Sequence, residues 1–426
     1  MKKFTNLIFI ALISTTFVAC VKSDFPKHYP DKLPDDIIIQ WNLLAYEAEG
    51  GAAYEHGPLG ARSNAIVHIA MHDALNAIYP VYESYAYRQR GNVKAHPIVA
   101  AAVAAHTVLV FLHPESKTLV DAALKENLAS FEEGELKENG KKTGLKAAQA
   151  ILDLRANDDP FRSPVGFIPV STVPGIYNVV PPFDFVFAEF WKEMKPFAFK
   201  RSDQLRGGPP PALTSDKYAE SFNEIKSVGK LGSTTRTADQ TAIAKWWYEL
   251  SEKGWNRVAR TLSEKHEPDL YTSARMFALI NMAMSDSYVL GWDMKFYYNF
   301  WRPYTAIRAA ATDGNDKTAP DPQWLSSEPT PPVQDWPSTH ATLANSAKTI
   351  LEKFFGYHAY FSMTSTSGVP ASSVRSFSSL DEAADENAAS RVYAGIHFRF
   401  STDEGQKLGN KIGKWTYERY LQPQHK

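Results

Sequence analysis

The sequence predicts an all-α protein. Apolar residues recur every three to four positions along most of the chain, alternating β-type runs are scarce, and prolines gather into loops. Helical spacing covers residues 35–48, 61–79, 97–112, 117–131, 141–156, 215–228, 236–251, 254–264, 270–301, 339–355, 380–396 and 403–420. Segment 61–79 holds His68, His72 and Asp73 among apolar neighbours. The i, i+4 histidine pair has metal-ligand spacing, but no Glu follows His68 directly, so it reads as a buried packing helix. Segment 97–112 is alanine-rich and lies between Pro97 and Pro114. His106 reads as a satisfied core or interface residue, and with Thr107 it interrupts a run that approaches membrane-spanning length. The stripe Phe296, Tyr297, Tyr298, Phe300 and Trp301 has helical spacing and reads mainly as core. Segment 339–355 follows Pro337 and Ser338, residue types favoured at helix starts. Pro-rich loops occupy 160–185, 206–213 and 319–337. The last carries Pro320, Pro322, Pro329, Pro331, Pro332 and Pro337, which stiffen whatever it presents.

An apolar share of 44 % over 426 residues supports a sizeable core. The length leaves room for two subdomains, expected as an N-terminal helical region over 35–200 and a helical region over 201–426. A net charge of −1 with no basic stripe gives no reason to expect nucleic acid. Lys2-Lys3 precedes a short apolar stretch, Phe4–Val18, and Phe17-Val18-Ala19-Cys20 resembles a bacterial lipoprotein processing site. Cys20 is the only cysteine, so no intrachain disulfide can form, and it reads as a lipid attachment point. Residues 1–20 are therefore expected to be a lipoprotein signal peptide and 21–34 a flexible tether. The expected location is the bacterial cell envelope, with membrane contact only through that lipid.

Chemistry concentrates in three stretches: Lys295-x6-Arg302-Pro303, Pro337-Ser338-Thr339-His340 and Ser390-Arg391-x5-His397. Singly, each reads as an ordinary helix face or helix start. Together they supply three fixed cations, a hydroxyl beside free N–H groups, and two imidazoles. That set suits an oxyanion of trigonal-bipyramidal shape, either vanadate or phosphate in mid-transfer. Arg302 and Arg391 donate in planar forks, Lys295 is a point charge, and Ser338 and the Thr339 N–H donate beside them. One histidine suits a ligand or nucleophile, the other an acid or base.

These motifs resemble the signature of the vanadium-dependent haloperoxidases and the type 2 phosphatidic acid phosphatase superfamily: Lys-x6-Arg-Pro, Pro-Ser-Gly-His, then Ser-Arg-x5-His-x3-Asp. Ala274–Leu279, Asp286, Trp292–Lys295, Phe300–Pro303, Glu386–Arg391 and Gly395–Phe400 are similar to the soluble haloperoxidase branch. The resemblance covers roughly residues 200–415. It implies helix bundles around a buried oxyanion site and vanadate as cofactor. It implies His397 as axial vanadium ligand, or as nucleophile in a phosphatase. Lys295, Arg302, Ser338, Thr339 and Arg391 are expected to hold equatorial oxygens, and His340 to exchange the proton at the other axial position. Trp292 is the expected halide-pocket wall. Val333, seven residues before His340, gives that wall a smaller, less polar side chain than the chloro- and bromoperoxidases place there. Glu249 falls where the family has an acidic partner for the cations. Two departures stand out: Thr339 replaces a glycine, and Ser401 replaces the final Asp, whose orienting role is expected to pass to Asp403.

The implied function is oxidation of halide, iodide or bromide, by hydrogen peroxide, with a small organic acceptor as an option. Bound vanadate would act as a Lewis acid without redox change. The alternatives are an acid phosphatase working through phosphohistidine at His397 and a non-catalytic oxyanion-binding lipoprotein. The halide and the oligomeric state are not encoded legibly.

Overall fold

The structure is a computed structural model that describes residues 33–53, 55–89 and 94–424. The expected signal peptide, Cys20 and the tether up to residue 32 lie outside the described residues. Leu33 is already tied to the domain, its carbonyl accepting from the Leu270 N–H at 2.9 Å. The α-helices are α1 (Asp36–Ala48), α2 (Gly57–Ile78), α3 (Pro97–Leu112), α4 (Lys117–Ala129), α5 (Glu135–Leu154), α6 (Asp216–Val228), α7 (Ala238–Trp246), α8 (Ser251–His266), α9 (Leu270–Tyr298), α10 (Pro303–Arg308), α11 (Thr339–Phe355), α12 (Leu380–Tyr393) and α13 (Arg399–Arg419).

Helix α9 is the axis of the molecule. Asp269 caps it, with Oδ1 accepting from the Tyr271 and Thr272 N–H groups. From Leu270 to Lys295 every residue but Thr272 is buried, as expected of a helix with no polar face. On one side α2 packs against α9, α3 and α5. On the other α11 packs against α9, α8, α12 and, most extensively, α13. Asp286 of α9 accepts from the Phe197 and Ala198 N–H groups at 2.6 and 2.7 Å, pinning the preceding segment to the axis.

Several element boundaries differ from the sequence expectation, and each difference shapes the site. The 270–301 segment stops at Tyr298 because Asn299 turns left-handed (φ 47°), and the chain restarts as the short α10 behind Arg302-Pro303. The 236–251 segment breaks after Trp246, leaving Trp247–Leu250 as a turn. The 380–396 segment ends at Tyr393, and Gly395 (φ 80°) then turns the chain so that His397 lies between α12 and α13. Two short antiparallel hairpins also appear: β1 (Val165–Gly166) with β2 (Val186–Phe187), and β3 (Phe361–Thr364) with β4 (Val374–Phe377). The first hairpin is stitched to the Pro-rich loop by Phe187 N–H to Pro332 O at 2.8 Å.

The remaining expectations resolve by packing. His68 bonds Asn42 at 2.8 Å, and burial drives its pKa down to about 3. His72 Nε2 meets Glu83 O at 3.0 Å, and Asp73 accepts from the Tyr85, Ala86 and Tyr87 N–H groups. His106 Nε2 lies 2.7 Å from Asp121 Oδ1, between α3 and α4. Phe300 and Trp301 are core, but Tyr297 is 62 % exposed and carries the Arg206 guanidinium 3.9 Å above its ring, so the stripe is only partly internal. Among the described residues, no helix is long and apolar enough to cross a membrane.

Candidate functional site

The three cations converge from three elements. Lys295, in the last turn of α9, is fully buried. Its Nζ donates to Gln334 O and Pro337 O, both at 2.6 Å, and reaches Asp335 O at 3.4 Å. Its donors are thus spent on the Pro-rich loop, and it does not line the cavity that the other two cations face. Burial, with Arg302 nearby, holds the ammonium pKa well below its usual value. Arg302 precedes α10. It donates from Nε to Val333 O at 2.6 Å and from Nη1 to Ile396 O at 2.7 Å, with Nη1 also 2.9 Å from His397 Nε2. Arg391, in the last turn of α12, donates to Trp247 O at 3.1 Å and lies 5.3 Å from the Tyr248 ring centre. Burial lowers its pKa to about 10.

Arg302 has no acceptor, so its contact makes His397 Nε2 the nitrogen with the lone pair. In the neutral ring the proton then sits on Nδ1, which lies 2.9 Å from Asp335 Oδ1, close but off the hydrogen-bond line. Asp335 is completely buried and accepts from Ser401 Oγ through its other oxygen. Burial raises its pKa to about 6, against the pull of Arg302, the Ser401 hydroxyl and Lys295. The carboxylate beside His397 is therefore Asp335. Asp403 instead faces Arg399, Lys217 and Lys407. Sequence reading missed Asp335 because it looked downstream of His397. The available signal was an Asp three residues before Ser338, in a loop stiffened by proline.

Ser338 is the N-cap residue of α11, and its N–H donates to Ser401 O at 2.9 Å. Thr339 opens the helix without a positive φ, so replacing glycine here strains no backbone. The first intrahelical N–H bond belongs to Thr342, which leaves the N–H groups of Thr339, His340 and Ala341 at the helix start. His340 Nε2 lies 3.0 Å from Glu249 O. A carbonyl only accepts, so Nε2 carries the proton and Nδ1 is the basic nitrogen. Burial first, then the neighbouring cations, hold the pKa of both His340 and His397 well below 6.5, so each is a neutral base near pH 7.

Glu249 acts through its backbone. Its carboxylate is turned away, bound by Arg257 at 2.7 and 3.1 Å and by the Thr366 N–H. The turn Trp247-Tyr248-Glu249 thus gives one carbonyl to Arg391, a ring beside it, and another carbonyl to His340. Its anchorage explains why a helical segment had to break there.

These groups open on a cavity of about 830 Å³. Arg302, Thr339, His340, Arg391, His397, Trp292 and Val333 all line it. Trp292 Nε1 donates to Phe187 O at 3.3 Å, and its ring meets Tyr288 edge-on at 5.5 Å. The site fits an oxyanion. Three buried cations face one buried carboxylate, an arrangement that is costly without compensating negative charge. Ser338 Oγ and Arg391 Nε are buried without a hydrogen-bond partner, and an oxyanion would satisfy both.

Comparisons with known proteins bear on the fold and the family. The family model described as the VCPO second helical-bundle domain matches residues 275–425. The vanadium chloroperoxidase of Curvularia inaequalis is 24 % identical, over 91 % of this chain and 82 % of its own length. The crystal structure of a bacterial vanadium-dependent iodoperoxidase superposes with a TM-score of 0.79 at 23 % identity, covering 94 % of this chain and 100 % of that one. The holo form of a bacterial vanadium-dependent chloroperoxidase gives a TM-score of 0.66 at 17 % identity, covering 85 % and 92 %.

Proposed function

Because the chain belongs to the vanadium-dependent haloperoxidase family, we propose that it oxidises halide, iodide or bromide, with hydrogen peroxide to hypohalous acid. The observation that carries this reading is the buried trio of Lys295, Arg302 and Arg391 around two neutral histidines. When bound, vanadate would supply a Lewis acid that holds and polarises peroxide. His397 Nε2, which accepts from Arg302 here, would hold the vanadate by giving up that contact, with the Asp335 carboxylate 2.9 Å from Nδ1. Arg302, Arg391, Ser338 Oγ and the Thr339 N–H would hold its oxygens through charge-assisted bonds. Lys295 acts one layer back, adding charge while clamping the loop that carries Asp335 and Ser338. His340 Nδ1 accepts the peroxide proton, because Glu249 O fixes the proton on Nε2. Trp292 and Val333 wall the halide approach.

A second reading, phosphomonoester hydrolysis through a phosphohistidine at His397, is favoured by one observation: the cavity is wider than a halide requires. The N-terminal pattern ending at Cys20 supports export and lipid anchoring at the cell envelope as part of the proposal. The deciding experiment reconstitutes the protein with orthovanadate and follows triiodide formation and bromination with hydrogen peroxide. Oxidation that needs vanadate and is suppressed by phosphate is the expected result. No oxidation, together with aryl phosphate hydrolysis inhibited by vanadate, would replace this reading with the second.

A further inference from the structure

The cavity has more room than peroxide and a halide use. At about 830 Å³ it matches the size of sites that enclose drug-sized organic molecules. Its walls are aromatic and apolar beyond the catalytic floor: Phe161, Phe183, Phe185, Phe187, Pro164 and Leu59. Most of these come from the 160–187 segment, whose two ends the β1–β2 pairing ties together. Phe183 and Phe185 stand edge to face at 5.7 Å, a geometry that welcomes a further ring, and Phe161 is 59 % exposed at the entrance.

Charge is sorted along the cavity. Arg302 and Arg391, each 1 % exposed, lie at the floor. The exposed carboxylates Glu55 and Glu115 lie at the mouth, and no lysine is among the lining residues. A cation entering such a cavity is held at the mouth and repelled from the floor.

We propose that this cavity binds an organic halogen acceptor: an electron-rich aromatic ring joined to a protonated amine. The ring lies against the phenylalanines and the amine stays between Glu55 and Glu115. This inference rests on the haloperoxidase reading of the same site. In the reaction a ring carbon attacks the halogen of hypohalous acid. The carbon–halogen bond forms as the halogen–oxygen bond breaks, and the ring proton leaves with the departing hydroxide as water. The ring supplies the electron pair and the positive halogen is reduced. Holding the ring against these walls lets it intercept the oxidant before it escapes.

The test is a competition between tyramine and 4-hydroxyphenylacetate, which share a phenol ring and differ in the charge on the tail. Reagent hypoiodous acid gives the reference product ratio. The vanadate-loaded protein is expected to favour tyramine about fivefold to tenfold beyond that reference, the size of effect two rim charges provide. The paired change Glu55→Gln and Glu115→Gln should return the ratio to the reference while triiodide formation stays unchanged. A ratio equal to the reference in the unchanged protein overturns the proposal, since the acceptor would then meet free oxidant in solution. Calorimetric titration without peroxide separates this from failure of the haloperoxidase reading. Tyramine binding that exceeds 4-hydroxyphenylacetate binding and is weakened by Phe185→Ala supports the site even if no halide is oxidised. Equal or absent binding of both overturns it.

Discussion

At the scale of single residues, the most informative pair is Asp335 and Ser401. The family signature leads one to expect a carboxylate at position 401. Here a serine stands there and donates to a carboxylate from the opposite loop. Asp335→Asn is expected to weaken vanadate binding about 10- to 100-fold, the usual cost of losing a partner that orients a ligand histidine. Asp403→Asn should leave it unchanged. Vanadate titrations followed by thermal shift and by triiodide formation check both, and an equal loss in the two variants would refute the assignment. The first-layer residues were legible because they fall in short motifs at fixed spacing. Asp335 was not, because its partnership with His397 and Ser401 bridges distant parts of the chain. Glu249 was legible as a position but not as a role, since sequence shows a carboxylate and hides the carbonyl that serves His340. Glu252 gives a pH prediction at the same scale. Burial raises its carboxyl from 4.5 to about 7, opposed by the Tyr288 hydroxyl bonded at 2.8 Å. The folded state therefore binds this proton more tightly than the unfolded chain, and stability falls as pH rises from about 4.5 to about 7. Glu252→Gln keeps an acceptor for Tyr288 and removes the titration. Its advantage over the natural protein should grow from near zero at pH 4.5 to about 3 kcal/mol at pH 8. Denaturant melts at the two pH values measure this, and a pH-independent difference would contradict it.

At the scale of elements, the site depends on how closely α13 approaches α11. A Cβ at Gly409 would lie 2.3 Å from Thr342 O, and one at Gly405 would lie 2.5 Å from Ser338 O. Both obstacles are backbone, which cannot swing aside. Gly409→Ala and Gly405→Ala should each cost about 1–3 kcal/mol by overpacking. They should differ in function. Gly405 faces the cap residue of α11, whose buried hydroxyl has no partner, so its alanine variant should also demand more vanadate for half-maximal turnover. Gly409 faces the next turn and should spare vanadate affinity. Paired melting and vanadate titrations test this, and a matched vanadate requirement in the two variants would show that the start of α11 is insensitive to its neighbour. Helix existence was plain from the apolar period, whereas this glycine-mediated contact was not. Periodicity reports which face is buried and says nothing about how near the partner backbone comes. The same limit explains the breaks at Trp246 and Tyr393. Both segments keep helical spacing past the break, but tertiary contacts to Arg391 and His340, and the turn at Gly395, decide where each helix stops.

At the scale of the whole molecule, the fold is built around charge that it does not neutralise by itself. Helix α9, loop 334–337 and α12 all end at the cationic cluster, α10 begins there, and Asp335 is the buried carboxylate paired against it. Desolvating like charges works against folding, and an anion that binds only the folded state offsets that cost by mass action. Orthovanadate at a hundred times its dissociation constant should stabilise the protein by about 2.7 kcal/mol. Phosphate, similar in shape and charge, should do the same at higher concentration. Arg391→Leu removes one cation and its buried, unpartnered Nε while leaving a side chain to fill the space. The variant should remain folded without added anion, yet lose most of the stabilisation that either anion confers. Calorimetry across an anion series reads both terms directly. If the natural protein melted at the same temperature with and without millimolar vanadate or phosphate, the cluster would not be an oxyanion site. If Arg391→Leu kept the full increment, the anion would be held elsewhere in the molecule.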